Sequence, residues 1–575
     1  AGASPVKAAG NAPTFEDILP GERVHVVVKG AFLLVANPFC EVSGRVLVTN
    51  YRVKFQTPKG TLREELRWMQ DVKFFDVPIG IVEDCKEERS TTATGASEIK
   101  LKVTTKDFRV LCFLLPSEHD SRLFSKALAD FGAPADISCL FAFRHCEASR
   151  AAGAGAADAE AEDGSRLFDP NAEYARMGVE TDIIPSPSCP WRLSPINADY
   201  SLCPSYPARV VLPRKMSDAD IRAVAGFRKR GRLPAMSWCG GPELRHASVW
   251  RCSQTTEGLM GQKCIEDQRL VEFIRRGSDV GHERDLLVMD LRPWKSAWAN
   301  KAGGGGFEGY PRCKLVFGGI DNIHCVRDAW RAMGAAVNNI KEDEPGTWMK
   351  DVANSCWYDY MGAILSSTMK VVHEIFTYKS NVMIHCSDGW DRTAQVASLA
   401  MLCLDAQYRT QAGFLRLIQK EWCSFGHRFR TRLALGEQPT SEYSPVFIQW
   451  LDCVYQLVRQ FPADFEFTPA VLLRLAHEVL TNRYGTFLTD NERERNTLAA
   501  SHTMSLWSVL LRPSEAAAWR NGGYQPRGGS QPLVPSVCQA HYAIWETYWF
   551  RYHPRGQKSR AAEAAAAPTG PVPCA

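Results

Sequence analysis

The chain has 575 residues, 45% of them apolar, with a formal net charge of +4 and 19 cysteines. This is enough material for more than one sizeable core, and it excludes a disordered or fibrous chain. So small a charge gives no global case for nucleic-acid binding, and cysteines scattered without paired spacings point to a reducing, cytoplasmic setting rather than a disulfide scaffold or a zinc site.

Taken in order, residues 1–13 are Ala/Gly/Pro-rich and read as a disordered N-terminus without the apolar core of a signal peptide. Residues 14–135 read as one β-rich module. RVHVVVKG, AFLLVA, GRVLVTN, YRVKFQ, IKLKVTT and FRVLCFLL are strand patterns split by turn residues, implying an antiparallel sheet or small barrel. A helix closes it, with Ser117 as N-cap, Leu123, Phe124, Leu128 and Phe131 as its stripe and Gly132 at its end. Residues 136–166, turning Ala/Gly-rich and then acidic from Asp158 to Asp163, read as a solvated linker.

From 167 to 554 the pattern is that of a large α/β domain: ARVVLP, LLVMDLR, CKLVFGGI and NVMIHC alternate with helices over 217–228, 357–377 and 468–480, the last with Thr468 as N-cap. The fold class is therefore multidomain, α+β overall. Residues 555–575 are low in complexity, without heptads, and read as a disordered tail. No apolar run reaches the ~20 residues of a membrane span, so membrane contact is expected to be peripheral. Arg228, Lys229, Arg230 and Arg232, with Arg214 and Lys215, are basic enough to face anionic lipid, or else are solvated helix ends.

The stretch VMIHCSDGWDRTAQVASLAMLCL, from Val382, carries the chemistry. Cys and Arg six apart occur at six places, so spacing alone selects nothing. Cys325, Cys403 and Cys453 lie inside helical patterns, and Cys203 and Cys239 have prolines within the interval, each removing an N–H donor. Only Cys386 follows a strand and precedes a helix, so that converging N–H groups and a helix N-terminus can hold an anion. A thiol there is expected to ionise readily and attack phosphorus. Arg392 would clamp two phosphate oxygens, Gly389 would supply a positive φ, and the Thr393 hydroxyl would assist the sulfur as it leaves. Asp391 is a candidate proton donor, with Asp290 and Asp321 as rivals; Asp388 would orient water or substrate hydroxyls; Trp390 is a pocket wall or simply packed.

HCSDGWDRT, running from His385 to Thr393, resembles the signature of the myotubularin family of lipid phosphatases. The likeness extends through WRLSPINADYSLCPSYPA, FRKRGRLPAMSW, NKAGGGGFE, GGIDNIH, KEWCSFGHRF and SPVFIQWLDCVYQLVRQFPADFEF, and residues 14–135 resemble the PH-GRAM module of that family. The resemblance implies removal of the D3 phosphate from phosphatidylinositol 3-phosphate and phosphatidylinositol 3,5-bisphosphate through a cysteinyl phosphate, without metal or cofactor. It implies Asp391 as the acid beside Cys386 and Arg392. It implies substrate contacts from Ser387, Asp388, Gly389 and Trp390, with Asn300, Asn322, Ile323 and Arg428 completing the pocket. Implied partners are phosphoinositide lipids on cytoplasmic, endosomal membranes and a homo- or hetero-oligomer with related phosphatases, but not nucleic acid. The rival functions are a phosphotyrosine-protein phosphatase on the same loop and a non-catalytic phosphoinositide-binding adaptor.

Overall fold

A computed structural model describes residues 17–553 apart from 37–38, 59, 92–96, 153–163, 185–188, 282, 341–344 and 526–530. The expected disordered ends, 1–13 and 555–575, and the acidic run at 158–163 lie outside the described residues.

Seven strands build the first sheet: β1 (Val24–Ala36), β2 (Phe39–Thr49), β3 (Arg52–Gln56), β4 (Asp76–Pro78), β5 (Val82–Thr91), β6 (Ser97–Thr105) and β7 (Val110–Leu115). All pairs are antiparallel, in the order β4-β3-β2-β1-β7-β6-β5. The two strand patterns RVHVVVKG and AFLLVA are one long strand, with the register shifting between Lys29 and Ala31 where Gly30 takes a φ of +68°. Alternation sends Val28, Leu33, Val46, Val48, Val53, Leu101, Val103, Leu111 and Phe113 to one core. Helix α1 (Glu118–Gly132) covers it with Phe124, Ala127 and Leu128, and the Ser117 hydroxyl caps its start by accepting from the Asp120 N–H.

The segment read as a linker is not one throughout. Residues 141–151 form helix α2 (Phe141–Ala151), whose Phe141, Ala142, His145 and Cys146 are buried. The Ala/Gly-rich composition hid this apolar face, because its buried residues precede the small-residue run.

The second sheet holds β8 (Trp191–Ser194), β9 (Val210–Pro213), β10 (Ala235–Cys239), β11 (Ser248–Cys252), β12 (Leu286–Asp290), β13 (Cys313–Phe317) and β14 (Val382–His385), in the order β13-β12-β14-β11-β10-β9-β8. β14 lies inside the sheet, parallel to both β11 and β12, while β10, β9 and β8 continue it antiparallel. Its helices include α3 (Asp218–Phe227), α4 (Ile265–Arg276), α5 (Trp294–Ala302), α6 (Ile323–Asn338), α7 (Trp357–Tyr378), α8 (Arg392–Leu404), α9 (Phe429–Leu433), α10 (Val446–Gln460) and α11 (Pro469–Glu478). α8 is buried along almost its whole length, against α7 and α10, which makes it the axis of the domain. Thr468 stands at the N-cap of α11, but its hydroxyl reaches the Trp519 carbonyl instead of capping. Among the described residues no helix is long and apolar enough to cross a membrane.

Candidate active site

Strand β14 stops level with its neighbours: His385 is in register with Cys252 of β11 and with Asp290 of β12. The carboxyl ends of three parallel strands therefore open to the same side, where α/β sheets hold ligands. Cys386 begins the loop there and α8 begins at Arg392, in the strand–loop–helix order that the sequence implied. The other Cys-x5-Arg cysteines behave as expected for their context: Cys325, Cys403 and Cys453 are inside α6, α8 and α10.

Cys386 is almost completely covered, at 2% exposure, and its sulfur receives two donors: the Gly389 N–H at 3.3 Å and the Thr393 hydroxyl at 3.4 Å. Burial pushes the thiol up, yet the Arg392 charge, the Thr393 hydroxyl and the Gly389 N–H outweigh it against the opposing Asp391, and Cys386 is held below its ordinary value. Gly389 makes that approach possible. Its φ is +79°, and a Cβ there would run into the Cys252 carbonyl, so any side chain would collide with β11. The Gly389 carbonyl accepts from Arg232 at 2.9 Å and Arg251 at 3.0 Å.

The reading of the 228–232 run as a lipid-facing or solvated cluster fails for Arg228 and Arg232, while Arg230 and, from the neighbouring pair, Lys215 are exposed. Arg228 and Arg232 are 2% and 0% exposed. Lys229 points at the loop, with its ammonium 3.1 Å from Ser387 Oγ and 3.0 Å from Asp388 Oδ1. Charge clustering in a sequence cannot distinguish a solvated face from the underside of an anion site, because both call for the same residues. Arg251 is fixed in turn by Glu421, 2.8 Å away on the π-helical turn Gln419–Ser424. Such turns frequently mark functional sites.

On the opposite flank, Asp391 does not stand free. Arg432 donates to both its oxygens, at 3.1 and 2.9 Å, and His427 Nδ1 lies 3.1 Å from Oδ1. Burial opposes ionisation, but Arg432 and His427 prevail, and the carboxyl is held far below the usual carboxylate range. In this arrangement Asp391 is a carboxylate, not a loaded acid. Its rival Asp290 is also committed, with both oxygens on the Arg292 guanidinium. Trp390 is 8% exposed, its ring 5.4 Å from the Arg428 guanidinium and 5.7 Å from that of Arg232, so it is packed against two cations. Arg428 pairs with Glu442 at 2.7 Å and Asp490 at 3.4 Å.

The remaining expected contacts are spread around the rim. Arg392, partly exposed, donates to the Ile320 carbonyl at 3.2 Å. Asn322 caps α6, accepting from the His324 N–H at 2.9 Å, and Ile323 starts that helix. Asn300 donates to the Ser296 carbonyl and lines a recess with Lys229, Gln254 and Gly303–Gly305. Gln254 joins this recess to the loop, because its backbone N–H donates to the Ser387 carbonyl at 3.2 Å.

One set of contacts at the site left no signal in the sequence. Behind the loop, Asp267 of α4 binds Arg228 through both oxygens, at 2.8 and 2.7 Å; Arg228 hydrogen-bonds Glu308; and Glu308 Oε2 lies 2.9 Å from Nε2 of His385. His385 Nδ1 reaches the Cys386 carbonyl at 3.1 Å, so the series ends on the backbone of Cys386. All four side chains are buried. They come from segments up to 157 positions from Arg228, and no local pattern pairs them. Among the described residues no group of three or more His, Cys, Asp or Glu is placed to hold a metal ion.

Known proteins resemble the chain over most of its length. A family model described as "Myotubularin-like phosphatase domain" matches residues 141–496. The chain is 35% identical to a protein named "Myotubularin" from Xenopus laevis, over 93% of this chain and 84% of that one. It is 34% identical to "Phosphatidylinositol-3,5-bisphosphate 3-phosphatase MTMR2" from Mus musculus, over 94% and 79%, and equally so to the Gallus gallus protein of that name, over 94% and 89%.

Proposed function

Because the chain belongs to the myotubularin family, we propose that it is a phosphoinositide 3-phosphatase, which hydrolyses the D3 phosphate of phosphatidylinositol 3-phosphate and phosphatidylinositol 3,5-bisphosphate at a membrane surface. The observation that carries the reading is the Cys386 sulfur, buried at the end of β14 with two donors aimed at it and its thiol held below the ordinary value.

In the first step the Cys386 thiolate attacks phosphorus. The S–P bond forms as the bond from phosphorus to the D3 oxygen breaks, while Arg392 and the loop N–H groups take the charge on the phosphoryl oxygens. The departing oxygen needs a proton, and Asp391 starts as a carboxylate under Arg432 and His427. A monoanionic phosphate ester brings that proton, its second pKa being about 6, and passes it directly to the leaving oxygen as the bond to phosphorus breaks. In the second step water attacks the cysteinyl phosphate, Asp391 takes the water's proton, and the sulfur departs as a thiolate that Thr393 stabilises through the contact at 3.4 Å. Lys229 and Arg428 flank the loop mouth as cations, which suits a headgroup with further phosphates.

Phosphate release from the full set of phosphoinositide isomers and from a tyrosine-phosphorylated peptide tests the assignment. Release confined to the isomers bearing a D3 phosphate is expected. Faster turnover of the peptide would replace the lipid with a protein substrate, and release from isomers lacking a D3 phosphate would overturn the position.

A further inference from the structure

In the turn after α3 the basic residues divide between interior and mouth. Arg228 is committed to Asp267 and Glu308, and Arg232 to the carbonyls of Gly389 and Phe425. Lys229 stands between them with its side chain 34% exposed. Its backbone is held on both sides: the N–H donates to the Gln254 carbonyl at 3.0 Å, and the carbonyl accepts from the Ser253 hydroxyl at 2.7 Å and the Arg232 N–H at 3.2 Å. Arg230 and Gly231 then reverse the chain with φ of +60° and +72°. A lysine whose backbone is fixed in this way has less freedom to lose when its ammonium takes a ligand.

The ammonium is only partly used. It donates to Ser387 Oγ at 3.1 Å and lies 3.0 Å from Asp388 Oδ1, but in a direction that leaves this oxygen without a hydrogen bond among the described residues. An ammonium has three N–H groups, so donors remain for an incoming anion. Beside it is a recess of about 480 Å³, in which Lys229 is the one charged lining residue. The polar wall across from it is already paired: Arg292 donates to Gln254 Oε1, Gln254 Nε2 donates to Asn300 Oδ1 at 3.5 Å, and Asn300 Nδ2 donates to the Ser296 carbonyl at 2.8 Å. Attraction for an anion in this recess therefore comes from Lys229.

We propose that Lys229 is a specificity-determining residue that binds the phosphodiester joining inositol D1 to glycerol, so that the site selects a phosphatidylinositol headgroup over a free inositol phosphate. With the D3 phosphate at Cys386 and Arg392, the ring carbons next but one on either side are D1 and D5. Lys229 stands at the Ser387–Asp388 side of the loop and Arg428 at the Trp390 side. Arg428 is closed in by Glu442 and Asp490, whereas the recess at Lys229 opens past the exposed Gly303 and Gly304. D1 is the position whose substituent has to leave the site, so it belongs at the open side. A diester carries one negative charge, which one ammonium matches, and without Lys229 the Asp388 carboxylate would face that charge uncompensated.

The proposal rests on the phosphoinositide 3-phosphatase reading, and the test separates the two. Native chain, Lys229→Met and Lys229→Arg are compared in turnover of short-chain, water-soluble phosphatidylinositol 3-phosphate, with inositol 3-phosphate and inositol 3,5-bisphosphate as competing inhibitors. Lys229→Met is expected to raise KM for the short-chain lipid by about tenfold with kcat little changed, and to leave both inhibition constants within about twofold, because neither inhibitor carries a D1 phosphate. Lys229→Arg is expected to restore most of the loss. A parallel rise of KM and both inhibition constants would reduce Lys229 to a support of the loop and overturn the subsite. A rise confined to inositol 3,5-bisphosphate would put the D5 phosphate there instead, and an unchanged KM would remove the contact; either overturns the subsite too. Absence of turnover by the native chain would overturn the phosphatase reading and the subsite with it, whereas the other failures leave native turnover intact and overturn the subsite alone.

Discussion

At Cys386 the local balance is between burial, which disfavours a thiolate, and a short list of groups that favour it. Arg392 is the first of the favourable groups, so removing its charge should raise the thiol. The thiolate is present above the thiol's pKa and is lost as pH falls through it. The rate of Cys386 alkylation by iodoacetamide against pH should therefore rise at lower pH in the native chain than in Arg392→Met; coincident profiles would contradict this account of the loop. Of the residues around the sulfur, Gly389, Arg392 and Thr393 were legible in the sequence because the cradle is local, closed within eight positions. The tie of Asp391 to Arg432 was not, because 41 positions separate them and the sequence shows only that both are charged. A loop aspartate reads the same in a sequence whether it is a free acid or half of a buried pair.

At the scale of elements, β14 is held from behind by the buried series Asp267, Arg228, Glu308 and His385, contributed by α4, the turn after α3, the segment before β13, and β14 itself. Burial opposes the charge of Glu308, but His385 and Arg228 hold its carboxyl below the usual range, while Glu308 and Asp290 raise His385 against the cost of its burial. The Glu308 contribution to stability is complete above the unfolded value of about 4.3 and is lost as pH falls through the lower folded value. The His385 contribution is complete below about 6.5 and is lost as pH rises through the higher folded value. Glu308→Gln leaves Arg228 and His385 without their shared counter-charge, and a loss of roughly 3–5 kcal/mol is expected. Denaturant unfolding at several pH values checks it: the difference from the native chain should be greatest between about pH 4.3 and 6.5, and no difference in that window would contradict the network. Apolar runs and turn residues made β9, β12, β13 and β14 readable in the second sheet. β8, β10 and β11 were not identified, because each is only four or five residues long and carries buried or half-buried polar residues, Arg192 and Ser194, Ser237, and Ser248 and Arg251, that break the apolar run.

Across the whole molecule, the two sheets are coupled at a point close to the site. Lys106, from the turn after β6, sends its ammonium to the carbonyls of Gly80, Leu433 and Ala434, at 2.9, 2.8 and 3.0 Å. Leu433 and Ala434 end α9, and the same short helix, with its N-cap, carries Arg428 and Arg432 to Trp390 and Asp391. The N-terminal sheet thus closes the C-terminal end of a helix that braces the loop. Burial pushes Lys106 down to about 8. Between that value and its unfolded value of about 10.4 the unfolded chain binds the proton and the folded chain does not, so the cost of burying the charge falls as pH rises through this window. Lys106→Met leaves the carbonyls without their donor, and a loss of about 1–3 kcal/mol in denaturant unfolding is expected, with a raised KM as α9 loosens; an unchanged KM would confine Lys106 to stability. The sequence implied both folding units, yet nothing in it implied this contact, which joins residues more than 300 positions apart.

The claim on which the account depends is that phosphate passes through Cys386. Acid quenching of the enzyme during turnover of phosphatidylinositol 3-phosphate radiolabelled at the D3 phosphate tests it most directly. The account predicts an acid-trapped label on the native chain that maps to the peptide containing Cys386, and neither label nor turnover with Cys386→Ser. Turnover by the serine variant at the native rate, or label on any other residue, would contradict it.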